Sequence, residues 1–421
     1  MTTISAATAP TSAAPSSVDE VTYEAYRIWR RNCSALYDMC ITHVLVYPTL
    51  ALDMQPYVTA GTDHASVGFV IGTHTPTTDA EQERNHLYVK ELALPLASQT
   101  VDPDSILKRD EGVIVGGYGS APSPKLGSFH DRHWIEFPSE ANAISCCPHE
   151  QNLIAAFSND AVLLYDLRTL RRCSIEKEDS EPVARLTGLK TEGFSLEFSV
   201  TREAFLAGGD GEGNVCWWDC KEMKQLGGSR LSGDVNGISI HSFCPQVILA
   251  ASDTGEIALL DTRVNNPVKT YKYSALVGED KGSVPTAIAC SRHDEYALTV
   301  ADSAGQLVLV DMRQMSAPLK AMQYHTGAIY QLRWSPFYPG YVLTGSEDSR
   351  VVLWDLTRTS ARKTCGDQDS TIPPEVCFVH GGHTTFVSAV CWHPSIPNLI
   401  GSAAEDNSLQ FWWPAAGYLD I

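Results

Sequence analysis

Two stretches of the sequence combine residue types that could support catalysis or ligand binding. A glycine-rich loop, GGDGEG at 208–213, superficially resembles a phosphate-binding loop, but its two carboxylates would repel a phosphate. His380 and His383 are separated by two glycines and could form a metal-binding pair. The sequence contains no GxxxxGK(S/T) loop and no GxSxG nucleophile elbow. We therefore predict that the protein is not an enzyme.

The charge balance restricts the kind of partner. The sequence has 421 residues, with 31 Lys+Arg and 50 Asp+Glu, so its net charge is −19 at pH 7. The excess of acid is spread over all three thirds of the chain rather than concentrated in a tail. A field of this sign opposes binding to a polyanion and attracts a basic partner. We therefore predict no direct binding to nucleic acid.

Cysteine usage and the N-terminal residues favour an intracellular protein. The twelve cysteines have neither zinc-site nor disulfide spacing, which predicts free thiols in a reducing compartment. Residues 1–17 are rich in Thr, Ser, Ala and Pro and lack a basic start and an apolar stretch, so we predict a disordered leader. The longest stretch without charged side chains, 376–404, contains prolines and histidines and is typical of strands and turns. We predict no membrane span.

An internal repeat supplies the elements that would carry any site. Four apolar residues followed by Asp recur at spacings of 42 to 53 residues, at 162–166, 215–219, 257–261, 307–311 and 351–355, and a degenerate copy stands at 409–413. Each copy follows a turn that carries an aspartate, which would accept hydrogen bonds from the turn and fix a hairpin. These aspartates are Asp160, Asp210, Asp253, Asp302, Asp348 and Asp406.

This pattern resembles the WD-repeat family, whose fold is a β-propeller of four-stranded blades. Six copies account for residues of about 134–415, and a seventh blade is expected in the N-terminal part. We predict an all-β, seven-bladed WD-repeat β-propeller over 37–421, closed by pairing of N-terminal strands with the C-terminal blade. In such repeats a histidine that opens a blade usually orients the aspartate turn, so we expect His383 to be structural. We predict no metal and no other cofactor.

A helix is predicted before the propeller, over residues 18–36. Tyr26, Trp29 and Cys33 repeat at three- and four-residue spacing, and the stripe continues to Leu36. This segment contains no proline, and its arginines occupy other faces. The spacing indicates a helix packed on the flank of the propeller.

The two ends of the chain resemble a more specific family, the retinoblastoma-binding histone chaperones, which include the small WD-repeat subunit of chromatin assembly factor one. The resemblance spans residues of about 20–415 and implies a divergent member. It implies a nuclear protein, also cytoplasmic while it handles histones, that binds histones H3 and H4 as a monomeric subunit of chromatin complexes. The motifs that carry it are YRIW at 26–29, LYD at 36–38, TH at 42–43, YPTL at 47–50, GTHT at 72–75, NHL at 85–87, PPE at 373–375, FVHGGH at 378–383 and EDN at 405–407.

The resemblance implies a histone site in a groove between the N-terminal helix and an insertion loop, residues 358–377, that carries a double proline. The first helix of histone H4 would lay apolar residues on this groove and basic residues near the acids of the loop. The loop is less acidic than in the family, and Ala35 stands where the family has a bulky aromatic residue. The implied groove residues are Ile28, Trp29, Leu36, Asp367, Asp369, Pro373, Pro374, Phe378 and Val379.

The resemblance also implies a peptide site at the top of the central channel, where acidic residues would hold an Arg- or Lys-rich peptide, either the histone H3 tail or a segment of another protein of the complex. Asn236 and Ala328 stand where the family has Glu, and Pro285 replaces Asn, so we expect weaker or altered recognition. The matching residues are Pro48, Leu50, His74, Glu140, Asn142, Glu192, Phe194, Tyr330 and Glu405.

One alternative of a different class stays open. The protein could be a WD-repeat scaffold whose main partner is not a histone, for instance a ubiquitin-ligase substrate adaptor. The missing carboxylates at the channel top favour this alternative. Partners that co-purify with the protein from cells would distinguish the two.

Overall fold

The structure is a ring of seven β-sheets with a helix on one flank. This computed structural model describes residues 20–61, 64–75, 85–95, 114–115, 127–170, 181–264, 267–278, 282–358 and 372–416. Helix α1 (Glu20–Leu36) leads directly into strand β1 (Tyr37–Val44), and a second, short helix is α2 (Ser274–Val277). The predicted fold class, a seven-bladed propeller with an N-terminal helix, is confirmed, whereas the leader predicted at 1–17 lies outside the described residues.

Each blade is an antiparallel sheet whose first strand lines the central channel. Blade 1 contains β2 (Leu52–Ala60), β3 (His64–Gly72), β4 (His86–Pro95) and β6 (Phe129–Glu136). Blade 2 contains β7 (Ile144–Cys146), β8 (Leu153–Phe157), β9 (Val162–Asp166) and β10 (Ala184–Leu186). Blade 3 contains β11 (Ser195–Phe198), β12 (Phe205–Gly209), β13 (Asn214–Asp219) and β14 (Lys224–Arg230).

The next three blades repeat the same order. Blade 4 contains β15 (Val235–Ile240), β16 (Val247–Ser252), β17 (Glu256–Asp261) and β18 (Pro267–Lys272). Blade 5 contains β19 (Pro285–Cys290), β20 (Ala297–Asp302), β21 (Gln306–Asp311) and β22 (Lys320–Gln323). Blade 6 contains β23 (Ile329–Trp334), β24 (Tyr341–Ser346), β25 (Val351–Asp355) and β26 (Val376–His380). The recurrent apolar run ending in Asp is therefore the third strand of a blade.

Blade 7 is built from both ends of the chain. Its strands β27 (Val387–Trp392), β28 (Ile400–Ala404) and β29 (Ser408–Pro414) come from the C-terminal part, and β1 adds the fourth strand. The register places Tyr37 opposite Pro414 and Val44 opposite Ser408. A two-residue strand, β5 (Ile114–Val115), pairs with the outer edge of β1. The predicted closure between the N-terminal and C-terminal strands is confirmed.

The apolar core lies between the blades. The described residues form seven apolar clusters, one at each junction between neighbouring blades, and α1 adds Trp29 and Cys33 to the cluster of blades 6 and 7. Successive side chains of a strand point to opposite faces, so a strand buried on both faces supplies two neighbouring clusters. This explains why the repeated runs are apolar at nearly every position. In the described part of the chain, no helix is long and apolar enough to span a membrane.

Polar side chains of the channel-lining strands hydrogen-bond across every junction of the ring. Each such bond joins a side chain of one inner strand, or of the loop beside it, to the backbone of the next blade. The bonds, in ring order, are Asp53 Oδ2 to Cys146 N–H, Ser145 Oγ to Phe198 N–H, Glu197 Oε2 to Ile240 N–H, Asn236 Nδ2 to Pro285 O, Thr286 Oγ1 to Ile329 O, Gln331 Nε2 to Ser388 O and Ser388 Oγ to Thr49 O.

The aspartate turns hold the blade hairpins as predicted. In blade 6, Asp348 accepts the backbone N–H of Arg350 and lies 2.9 Å from Nδ1 of His325. The other ring nitrogen of His325 and the indole N–H of Trp354 both meet Thr344 Oγ1, at 2.7 and 2.8 Å. Comparable backbone bonds to Asp210, Asp302 and Asp406 confirm the same role there.

We expect Thr344→Val to destabilise the protein, because valine has the same shape but cannot bond to His325 or to Trp354. A buried donor without a partner costs about 1–3 kcal/mol, so the melting temperature should fall measurably. Thr270→Val is the matched control, since Thr270 lies on the exposed edge strand β18. Equal thermal shifts for the two variants would contradict the role of the Thr344 hydroxyl.

Candidate functional sites

A buried aromatic cluster holds helix α1 against blades 6 and 7. The Trp29 indole Nε1 donates to the Tyr37 hydroxyl at 2.7 Å, and that hydroxyl lies 2.7 Å from Nδ1 of His380. The His380 ring stacks on Trp412 with centroids 4.4 Å apart and an interplanar angle of 3°. Since two directional hydrogen bonds lie inside an apolar core, they define both the position and the rotation of the helix.

Close packing explains the pair of glycines that follows His380. A Cβ atom on Gly382 would lie 2.8 Å from the Trp29 ring, so a larger residue would push α1 outward. The carbonyl of Gly382 also accepts a hydrogen bond from Gln410 Nε2 at 2.6 Å. The glycine therefore serves the contact between helix and blade.

His383 hydrogen-bonds inside blade 7, as predicted for a blade-opening histidine. Its Nδ1 lies 2.6 Å from Ser408 Oγ, and its Nε2 lies 2.8 Å from Ser402 Oγ. Ser408 Oγ in turn donates to Asp406, which links His383 to the aspartate turn. Among the residues that the structure describes, no three His, Cys, Asp or Glu side chains are grouped so that they could hold a metal ion.

The structure separates the predicted groove residues by their exposure. Ile28 is 51 % exposed and Pro374 is also exposed, whereas Leu36, Pro373 and Val379 are half-buried. Trp29 and Phe378 are only 7 % and 4 % exposed, and Phe378 packs on Tyr37 and Trp412. Trp29 and Phe378 therefore position α1 from below instead of offering surface to a ligand. Asp367 and Asp369 lie outside the described residues.

Lys320, which the sequence did not single out, holds the base of the insertion loop. Its Nζ donates to the carbonyls of Leu356 and Arg358, at 3.0 and 2.6 Å, on the side where the loop leaves blade 6. The same Nζ lies 3.2 Å from Glu375 Oε1, on the side where the loop returns. Lys320 thus draws the two ends of the loop together. Only the proximity of its strand to the loop, which is a tertiary feature, could have revealed it.

The predicted channel-top residues converge on one end of the channel. A cavity of about 70 Å³ is lined by Leu50, Asn142, Phe194 and Tyr330, among others. Beside it, the side chains of His74 and Glu140 approach to 2.9 Å between Nδ1 and Oε2, and the His74 N–H donates to the Pro48 carbonyl. Glu192 and Glu405 are exposed on neighbouring loops. Phe194 is 62 % exposed and Tyr330 is 45 % exposed, so two aromatic faces are open to a ligand.

The substituted positions at this end of the channel have structural roles. Asn236 Nδ2 donates to the Pro285 carbonyl at 2.9 Å, so both residues serve the junction of blades 4 and 5. Ala328 is only 5 % exposed and carries no acceptor in its side chain. The acceptors at the channel top are therefore fewer than the resemblance implies.

The fold and the two sites define the class of protein: a WD-repeat propeller with an anchored flank helix and an open channel end. Residues 24–96 match the family model that describes the histone-binding protein RBBP4, a component of the CAF1 complex. Residues 316–355 and 375–412 match the model of the WD domain, G-beta repeat. The chain belongs to the RBBP4-like family of histone-binding WD-repeat proteins. The first match includes α1 and the channel-top residues Pro48, Leu50 and His74.

Buried neutral histidines should make the stability depend on pH. Burial lowers the pKa of His383 and of His393 to about 4 and lowers that of His380 well below its usual value. A histidine in the unfolded chain titrates near 6.5, so the unfolded state takes up more protons as the pH falls from about 6.5 toward 4. The stabilisation is thus complete above pH 6.5 and is lost progressively below it.

We expect His393→Asn to reduce this acid sensitivity, because the amide oxygen can still accept the N–H groups of Ser395 and Ile396 but does not titrate. Between pH 7 and pH 5 the wild type should lose about 2 kcal/mol more stability than the variant. The measurement is the melting temperature at several pH values, and His130→Asn, at an exposed position, is the control. Identical pH profiles for wild type and His393→Asn would contradict the expectation.

Proposed function

We propose that the protein is a non-catalytic adaptor that binds histones H3 and H4 and joins them, as a monomeric subunit, to chromatin-assembly, remodelling or histone-modifying complexes. The proposed compartment is the nucleus, together with the cytoplasm while histones are handled. One observation carries the proposal: α1 lies within the segment that matches the histone-binding family model, and the Trp29 cluster holds it with one face exposed.

An anchored helix suits helix-in-groove recognition. An incoming amphipathic helix, proposed to be the first helix of histone H4, would place its apolar residues against Ile28, Leu36 and Val379. Because the groove wall is already ordered, little conformational entropy would be lost on its side when the partner binds. Lys320 restrains the base of the loop that forms the opposite wall.

Charge should decide the orientation of the partner in the groove. On α1, Arg27 is paired with Glu24 at 2.9 Å, while Arg30 and Arg31 are exposed and would repel basic residues. The basic side of a histone helix would therefore face the insertion loop, where the sequence has Asp367 and Asp369. The net charge of −19 would in addition speed the approach of a basic partner.

The channel top is proposed to hold a short basic segment, either of a histone tail or of another protein of the chromatin complex. Glu140, Glu192 and Glu405 would accept hydrogen bonds from Arg or Lys, and the faces of Phe194 and Tyr330 could pack on a guanidinium or on the stem of a lysine. The cavity of about 70 Å³ has room for one side chain, not for a folded element.

The scaffold alternative is favoured by the use of Asn236 and Pro285 at a blade junction, since this removes acceptors from the channel. Under that alternative the partner would not be a histone, and a ubiquitin ligase would be one destination. Affinity purification from cells separates the proposals: chromatin proteins and histones support the first, and ligase components without histones support the second.

We expect Ile28→Glu to weaken binding to recombinant H3–H4 by about tenfold or more, because it removes an apolar contact worth about 1.5–3 kcal/mol. The measurement is a titration of labelled histones with the full chain. Val268→Glu is the matched control, since Val268 is similarly exposed but lies on β18 in blade 4. Charge reversal of Asp367 and Asp369 to Lys should also weaken binding, and unchanged affinity in both sets of variants would rule out the groove.

We expect the double change Glu192→Lys and Glu405→Lys to weaken binding of an Arg/Lys-rich peptide, measured by fluorescence anisotropy. Exposed charge pairs contribute about 0.2–1 kcal/mol each, so the loss should be roughly three- to tenfold and should shrink at high salt. Glu222→Lys, in an exposed turn of blade 3, is the control for net charge. An equal loss in the control would show that only the overall field matters.

A further inference from the structure

The lower half of the central channel contains a second cavity, of about 120 Å³. It lies toward the ends of the inner strands, opposite the channel top, as its lining by Pro148, Val200 and Pro394 shows. Four charged side chains also line it: Asp53, Glu197, Arg292 and Arg333. A polar cavity of this size can hold several water molecules or one small ion.

The two guanidinium groups of this cavity have almost no protein partner. Arg292 is nearly enclosed by protein, yet in the described part of the chain it makes no hydrogen bond and no ion pair within 4 Å. Burial and the nearby charge of Arg333 both lower the pKa of Arg292, which shows that the two cations act on each other. Arg333 has only a long bond, 3.3 Å, from Nη1 to the Leu332 carbonyl. Unpaired donors in an enclosed site are costly, so a ligand that accepts hydrogen bonds would stabilise them.

The carboxylates of the cavity are already engaged by the backbone. Asp53 accepts the N–H groups of Cys146 and Met54, at 2.7 and 2.9 Å. Glu197 accepts the N–H of Ile240 at 2.8 Å across the junction of blades 3 and 4. These bonds keep the two acids in the walls of the ring, where they balance the arginines at long range without pairing with them. The fork-shaped donors of Arg292 and Arg333 therefore stay available.

We propose that the lower half of the channel binds a small oxyanion of the phosphate class between the guanidinium groups of Arg292 and Arg333. Each guanidinium offers a planar set of donors that matches two oxygens of such an ion. The site lies at the opposite end of the channel from Glu140 and away from the α1 groove, so it does not depend on the proposed histone binding. The overall negative charge opposes an anion, but salt screens distant charges while the enclosed arginines act at close range.

The test is isothermal titration of the full chain with inorganic phosphate at constant ionic strength, with chloride as the replaced ion. We expect one saturable site, and we expect Arg292→Gln and Arg333→Gln each to weaken it at least tenfold. Arg313→Gln is the matched control, because Arg313 is exposed and fully paired with Asp311, and it should bind as the wild type does. A parallel titration with acetate distinguishes a carboxylate source of the anion from a phosphate.

Circular dichroism checks that each variant is folded. Arg333→Lys is the second variant in case a glutamine variant fails to fold, since it keeps the charge and loses the fork, and it should weaken phosphate binding. Absence of saturable phosphate binding to the wild type would overturn the proposal. Binding that persists unchanged in the folded Arg292 and Arg333 variants would overturn it as well, because the ion would then sit elsewhere.

Discussion

The pairing of β1 with β29 is the constraint on which the rest of the structure depends. A seven-bladed ring leaves an exposed edge in its last blade unless another strand covers it, and β1 covers this edge over Tyr37–Val44. Since α1 ends at Leu36 and β1 begins at Tyr37, the same pairing brings the helix to blades 6 and 7. Closure of the ring and formation of the candidate histone groove are therefore one structural event.

The channel follows from closure in a second way. Seven inner strands meet around a common axis, and their polar side chains bridge each blade to its neighbour. Side chains used in these bridges are not available to ligands, as Asn236 illustrates. What remains free lies at the two ends: carboxylates and the aromatic rings of Phe194 and Tyr330 at the top, and the guanidinium groups of Arg292 and Arg333 below. One channel thus presents opposite chemistry at its two mouths.

The helix shows how a buried polar network can serve a surface site. Tyr37, His380 and Trp29 share hydrogen bonds in an apolar core, and each would carry an unsatisfied group if another were removed. Such a network specifies one orientation of α1 where an apolar contact alone would permit sliding. The exposed residues of α1, such as Ile28, gain a defined position from side chains that no partner touches.

Much of this molecule follows from the sequence. The repeat period and the apolar runs ending in Asp determined the blades, because a strand buried on both faces must be apolar throughout, and the helical spacing of Tyr26, Trp29 and Cys33 determined α1. Exposure was decided by the tertiary structure: Phe378 has the composition of a groove residue, yet it lies beneath the helix. So were contacts between distant segments, such as Lys320 with both ends of the insertion loop, and the opposed arginines of the channel. Local periodicity depends on neighbours along the chain, whereas burial and pairing depend on which blades the closed ring brings side by side.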